Sequence, residues 1–234
     1  MALLGADPVP TLHVIERIEL LPALLPRGHG AATALVDIPI GLPLEGVREV
    51  DGLARAALGA ASSSVFSVPP RPVFDGLDYE EASRLSRAAG AGGLSVQAWN
   101  IMGKIREVDL WLRRRGGVGL RLRESHPELA FKGLARRAGH HWPLPAKRTA
   151  AGRAARCALL AALGVDGAAA LDQRPDNPAG AVAADDKLDA TCLALLSREL
   201  NSGGRLATLP AEAEADAVGL PQEMVLPPEA LSGD

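Results

Sequence analysis

At 234 residues, 47% of them hydrophobic and with a net charge of −3, the chain has the composition of an ordinary globular protein with room for a sizeable core. Its apolar runs are broken by Arg, Pro or Asp well short of the roughly 18 residues that a membrane-crossing helix needs. The opening MALLGADPVPTLHV has no basic leader, apolar run or small-residue cleavage site of the secretory kind, so no membrane partner and a cytoplasmic location are expected. Aromatic residues are scarce, and the core must be built mainly from Ala, Leu and Val, which favours closely packed helices.

Residues 9–18, VPTLHVIERI, alternate apolar and polar positions and are rich in β-branched residues, as in a half-buried strand. A short helix is expected over 19–26, then a break at Pro26, Gly28 and Gly30. The run AATALVDIPIG (31–41) reads as a central strand, apolar on both faces, that carries Asp37 near its C-terminal end. Between 42 and about 117 the pattern changes: VREVDGLARAALG and YEEASRLSRAAG read as helices flanking an extended, proline-rich SSSVFSVPPRPVF. Residues 98–115 form a further helix that stops at Gly116-Gly117. This stretch is expected to be a helical insertion within a single domain spanning 1–234.

VGLRLRESHPELAF (118–131) alternates Val118, Leu120 and Leu122 with glycine and arginine, a strand that carries Glu124 towards its end. Residues 146–163 form an Ala/Leu/Arg-rich helix with Thr149 as its N-terminal cap. After a loop at 172–182, DDKLDATCLALLSREL reads as an amphipathic helix with acidic first turns. The remainder from Gly203 is acidic and contains several prolines. Cys157 and Cys192 lack metal-ligand or redox spacing and are expected to be buried free thiols.

Charge is unevenly spread. Residues 104–156 carry 14 Lys/Arg against 4 Asp/Glu, and the rest of the chain 11 against 24. Gathered on one face, that segment would suit a phosphate-rich ligand; otherwise its arginines decorate solvated helices.

Three acidic elements stand at the ends of predicted core elements: Asp37, Glu124 and the group Asp185, Asp186 and Asp189. Residues three or four apart share a helix face, so Asp186 and Asp189, or Asp185 and Asp189, can point at one spot. Like charges that close need a cation, and Mg²⁺ or Mn²⁺ takes hard oxygen ligands from one or two carboxylates with water and phosphate. Asp185 and Asp186 also suit a helix start without any catalytic reason. Asp189 lies a turn inside the helix, where capping is closed to it. His126 in ESHPE reads as a loop histidine or a proton shuttle. His140-His141 lacks the i, i+4 partner of a zinc helix, and neither a phosphate-cradling Gly loop nor a G-x-S-x-G turn is present.

In order, VDIPIGLP, R-x-x-D-x-x-AR-x-x-LG (48–59), SSVFSVPPR, GGLSVQAW, KIREVD, ESHPE, the basic stretch 147–156 and DDKLDA resemble the predicted RNase H-like nuclease family, domain of unknown function 429. The resemblance runs from about residue 10 to 230. It implies an RNase H-like mixed sheet flanked by helices, in which the strand ending at Asp37 is the fourth and the helix of Asp186 and Asp189 closes the fold. Family members generally begin with a strand bearing G-x-D. This chain starts with ALLGADP, which matches the second strand and its turn, so the first strand and its acid are missing from the pattern. Asp7 as a substitute leaves too few residues for three opening strands. An exposed sheet edge would then favour a homodimer.

The activity so implied is hydrolysis of phosphodiester bonds assisted by two metal ions. Asp37, Asp186 and Asp189 would be the ligands, with Glu124 as a further ligand or water-orienting base. Arg71, Lys104, Lys147 and Arg156 would hold the nucleic-acid backbone. The alternatives are a catalytically inactive scaffold for nucleic acid or a protein partner, and a small-phosphate enzyme, for which the phosphate loop is lacking.

Overall fold

A computed structural model describes residues 1–25, 32–114, 119–175 and 180–232. The elements, in chain order, are β1 (Ala2–Leu3), β2 (Thr11–Leu12), α1 (Leu21–Leu24), β3 (Ala32–Val36), α2 (Glu49–Leu58), α3 (Tyr79–Ala88), α4 (Val96–Arg113), β4 (Leu120–Glu124), α5 (Pro127–Arg137), α6 (Ala150–Ala162), α7 (Gly167–Asp172), α8 (Ala184–Asn201), β5 (Ala207–Leu209) and β6 (Met224–Leu226). The helices start where side chains can cap them. Asp78, Ser95, Thr149 and Asp166 each accept a bond from a backbone N–H three residues on, at the heads of α3, α4, α6 and α7, satisfying donors that the first turn leaves orphaned.

The α/β character holds, and the helices expected over 47–59, 79–90, 98–115, 146–163 and 185–200 are present as α2, α3, α4, α6 and α8. The stop at Gly116-Gly117 and the break at Pro26, Gly28 and Gly30 lie outside the described residues. The continuous mixed sheet is not seen. Among the described residues there are three two-stranded sheets: β1 with β2 antiparallel, β3 with β4 parallel, and β5 with β6 antiparallel.

The edge of β3 that faces away from β4 shows why no further strand joins there. Asn201 accepts from the Thr33 N–H and donates back to the Thr33 carbonyl, and Ser197 accepts from the Leu35 N–H. Side chains of α8 therefore take the bonds that a neighbouring strand would make. β3 is half-buried along its whole length, whereas burial on both faces was expected. The strand expected over 9–18 shrinks to Thr11–Leu12, paired with β1, and on its other edge Gln173 takes the Leu12 N–H and donates to the Pro10 carbonyl.

Helix α5 is the hub. Nine consecutive residues from Pro127 to Ala135 are buried, the all-round burial of a helix enclosed on every side. One flank meets α6 and α8 through Phe131, Leu134, Leu159, Leu160, Leu188 and Leu196. Another meets α2, β5 and β6 through Leu129, Val50, Leu58 and Leu226. Gly133 lets the chain after β6 come this close, since a Cβ there would stand 2.6 Å from the Pro227 Cβ. Cys192 is buried, Cys157 is half-buried, and both are free thiols. The proline-rich, acidic C-terminal region contributes the antiparallel β5–β6 pair and a turn at Pro228–Leu231 that buries Ala230. Strands of three residues are too short to show an alternation.

Candidate functional site

Parallel strands leave their C-terminal ends as a natural mouth for a site, because the chain must depart from the sheet there. β3 and β4 run in register, Val36 opposite Glu124, and the Ser125 N–H extends the ladder to the Val36 carbonyl. Asp37 follows directly on one strand. On the other, His126 precedes α5, whose fixed Pro127 start puts Glu128 in the first turn. α8 begins with Asp185 and Asp186 in its first turn and holds Asp189 one turn deeper.

Asp37, Asp186, Asp189 and Glu128 are electrostatic neighbours. Asp189 is buried, and loss of water raises its carboxyl pKa to about 6. The Lys147 ammonium opposes that rise, and the charges of Asp37 and Glu128 add to it. Asp37 is exposed by area but stands in a crowded recess. Crowding by protein pushes its pKa to about 6 against the pull of Lys147, with Asp186 and Glu128 adding to the rise.

Among the described residues two side-chain cations are paired within this group, Arg156 with Glu128 and Lys147 with Asp189. Lys147 Nζ lies 2.6 Å from Asp189 Oδ2. Burial works against the ammonium, but the Asp189 charge and hydrogen bond outweigh it and hold the Lys147 pKa above its ordinary value. Asp189 Oδ1 is buried with no partner. Loss of water outweighs this one pair, which is why Asp189 moves up although it is paired.

Lys147 is placed by a fixed stretch of backbone. Arg156, fully buried, donates to the Pro145 carbonyl at 2.9 Å and to Glu128 Oε1 at 2.7 Å, with its guanidinium 5.0 Å from the Phe131 ring centroid. The Ala146 carbonyl accepts from the Thr149 N–H and hydroxyl. It also packs on Gly152 so closely that a Cβ there would lie 2.0 Å away. Arg148, largely exposed, has its Nε 3.6 Å from Asp185 Oδ2.

The other expected site residues lie elsewhere. Glu124 is buried in a bidentate pair with Arg48 (2.8 and 2.9 Å), also accepts from the Ile40 N–H, and shares Arg48 with Asp51. Burial raises its pKa, against the pull of Arg48. Arg71 forks onto Asp109 and reaches Asp216, and Lys104 is held by Glu107 and the Glu16 carbonyl. Arg156 is the internal post already described. His126 offers Nε2 to the Ser64 carbonyl at 3.3 Å, its Nδ1 is buried without a partner, and burial lowers its pKa.

Two residues at the site escaped the sequence reading. Glu128 had a signal, since an acid behind a proline that opens a helix sits at a defined place. Arg148 had none beyond adjacency to Lys147. Among the described residues no group of three or more His, Cys, Asp or Glu is arranged to hold a metal ion, and no helix is long and apolar enough to cross a membrane.

Fold and site together define a mixed α/β protein that gathers carboxylates around one lysine where two parallel strands end. Residues 4–215 match the family described as "Protein of unknown function (DUF429)", and the chain belongs to that family. No curated protein and no solved structure matches it.

Proposed function

We propose that the chain is a divalent-metal-dependent hydrolase of phosphodiester bonds, a nuclease of RNase H-like type, working at the recess of Asp37, Asp186 and Asp189. The observation that carries this reading is the buried, unpartnered Asp189 Oδ1 among like charges. A buried carboxylate oxygen without a donor costs roughly 1–3 kcal/mol, and a hard cation is the ligand that removes the cost. The donor set fits Mg²⁺ or Mn²⁺ held by Asp37 and Asp189, with water and substrate oxygens completing the shell and Asp186 at the open side. This is a narrower set than a protein-only cage for two ions. When bound, such an ion would polarise a phosphoryl oxygen and lower the pKa of a bound water.

The remaining chemistry falls to the chain itself. Lys147 and Arg148 stand where a nucleic-acid phosphate would need countercharge, and neither reads a base, so recognition is of backbone. Glu124 supports the end of β4 through Arg48. A second reading, a catalytically inactive scaffold, is favoured by the Lys147–Asp189 pair, because an internal ammonium already answers part of the negative charge.

Calorimetric titration of Mn²⁺ into the wild type and the Asp37→Asn and Asp189→Asn variants, with a nuclease assay on the same samples, separates the two. Binding and cleavage present in the wild type and lost in both variants are expected. Absence of metal binding in the wild type, with and without a phosphodiester, would leave the scaffold.

A further inference from the structure

Lys147 is built into the recess in a way that sets the order in which ligands arrive. Its backbone is pinned on both sides, by Arg156 on the Pro145 carbonyl and by the Thr149 cap and Gly152 against Ala146. The side chain is the movable part, with 35% of its surface open to solvent, while Asp189 has only 10%. The ammonium sits on Asp189 Oδ2, the same carboxylate whose other oxygen is buried and unpartnered. A cation entering there meets a like charge a few ångströms away with little water between them. Arg148 lies beside it with 89% of its side chain exposed, so a phosphate arriving at this rim meets two cations at once.

We infer that Lys147 is a built-in competitor for the divalent cation. A phosphate group draws its ammonium off Asp189, so the ion binds tightly only together with phosphate. This rests on the metal-site reading above and adds to it a conditional lock: free metal alone is held off, and the substrate's own phosphate releases the carboxylate. Lys147 is here a positioning residue acting through Asp189.

The test is calorimetric binding of Mn²⁺ to the wild type and to Lys147→Met and Lys147→Gln, each with and without dimethyl phosphate as the diester probe, with thermal unfolding to establish that each variant is folded. Without the diester, both neutral variants are expected to bind Mn²⁺ at least about tenfold tighter than the wild type. The diester should tighten binding by the wild type markedly more than by the neutral variants, where only its direct contact with the ion remains. Lys147→Arg, which keeps the charge, should bind no tighter than the wild type. Equal or weaker binding by the folded neutral variants overturns the inference while a wild-type site survives, and so does equal tightening by Lys147→Arg. If none of the proteins binds Mn²⁺ under either condition, the lock and the metal-site reading fail together.

Discussion

Asp189 shows how one residue can carry an energetic cost in the absence of a ligand. Its pKa of about 6, against 3.8 for the unperturbed group, means that the folded state holds this proton more tightly than the unfolded chain does. A group raised in this way adds stability that is fully present below about pH 4 and is lost as pH rises through about 6. Asp189→Asn lacks that titration. Its stability relative to the wild type should therefore improve between pH 4.5 and 7.5, by an amount on the order of 1–3 kcal/mol. Urea unfolding at the two pH values measures the change. A difference that stays flat or falls would mean that Lys147 compensates the charge fully.

Asp189 was readable from sequence because it stands one turn past the helix start, where no local role explains an acid. The fates of Arg71, Lys104 and Arg156 were not. A guanidinium looks the same in a sequence whether it faces solvent or Asp216, 145 residues away, and only the fold supplies the partner. Glu124 is the same case from the acidic side: its place at a strand end was correct, and its Arg48 partner lay 76 residues upstream.

At the scale of elements, β3, β4, α2 and the 40–42 turn meet at Arg48. Its guanidinium binds Glu124 on β4, Asp51 on α2 and the Ile40 carbonyl beyond β3, while Asp51 accepts in turn from the Val68 N–H. All three charged side chains are almost wholly out of water. Removing the cation leaves two buried carboxylates without it, a loss of about 3–5 kcal/mol. Arg48→Met is expected to lose that much in denaturant unfolding, and a loss under about 1 kcal/mol would mean that water reaches Glu124 and Asp51. Elements set by local signals were well read, namely α6 with its Thr149 cap and α8 with its acidic first turn. Elements set by distant partners were missed. β2 has its free edge covered by Gln173, 161 residues away, and β5 and β6 exist because each completes the other.

Over the whole molecule, part of the uneven charge of the sequence is resolved by pairing across it. Arg123 meets Glu223, Arg137 meets Glu199 and Glu229, Lys147 meets Asp189 and Arg148 meets Asp185. The basic middle is thus tied to the acidic C-terminal part, and two of these ties, through Lys147 and Arg148, lie at the candidate site. The tie is also apolar. Met224, Val225 and Leu226 are buried, at roughly 1.5–3 kcal/mol each, comparable in sum to the whole stability of an ordinary domain. These residues lie beyond the 4–215 family match. A chain ended after residue 215 is expected to lose its cooperative thermal transition by circular dichroism. A sharp melt close to that of the full chain would show that the later segment merely decorates the core.

The same closure has a consequence during biosynthesis. Val50, Ala54 and Leu58 form the face of α2 that Met224, Leu226 and Ala230 help to cover. At ribosomal speeds of about 5–20 residues per second, the interval between making that face and making its cover is roughly 10–30 s. Throughout that interval the nascent chain displays a greasy helix face whose native cover, begun by Leu129 of α5, is incomplete. Codon usage between these segments and access to a holding chaperone therefore bear directly on the yield of soluble protein.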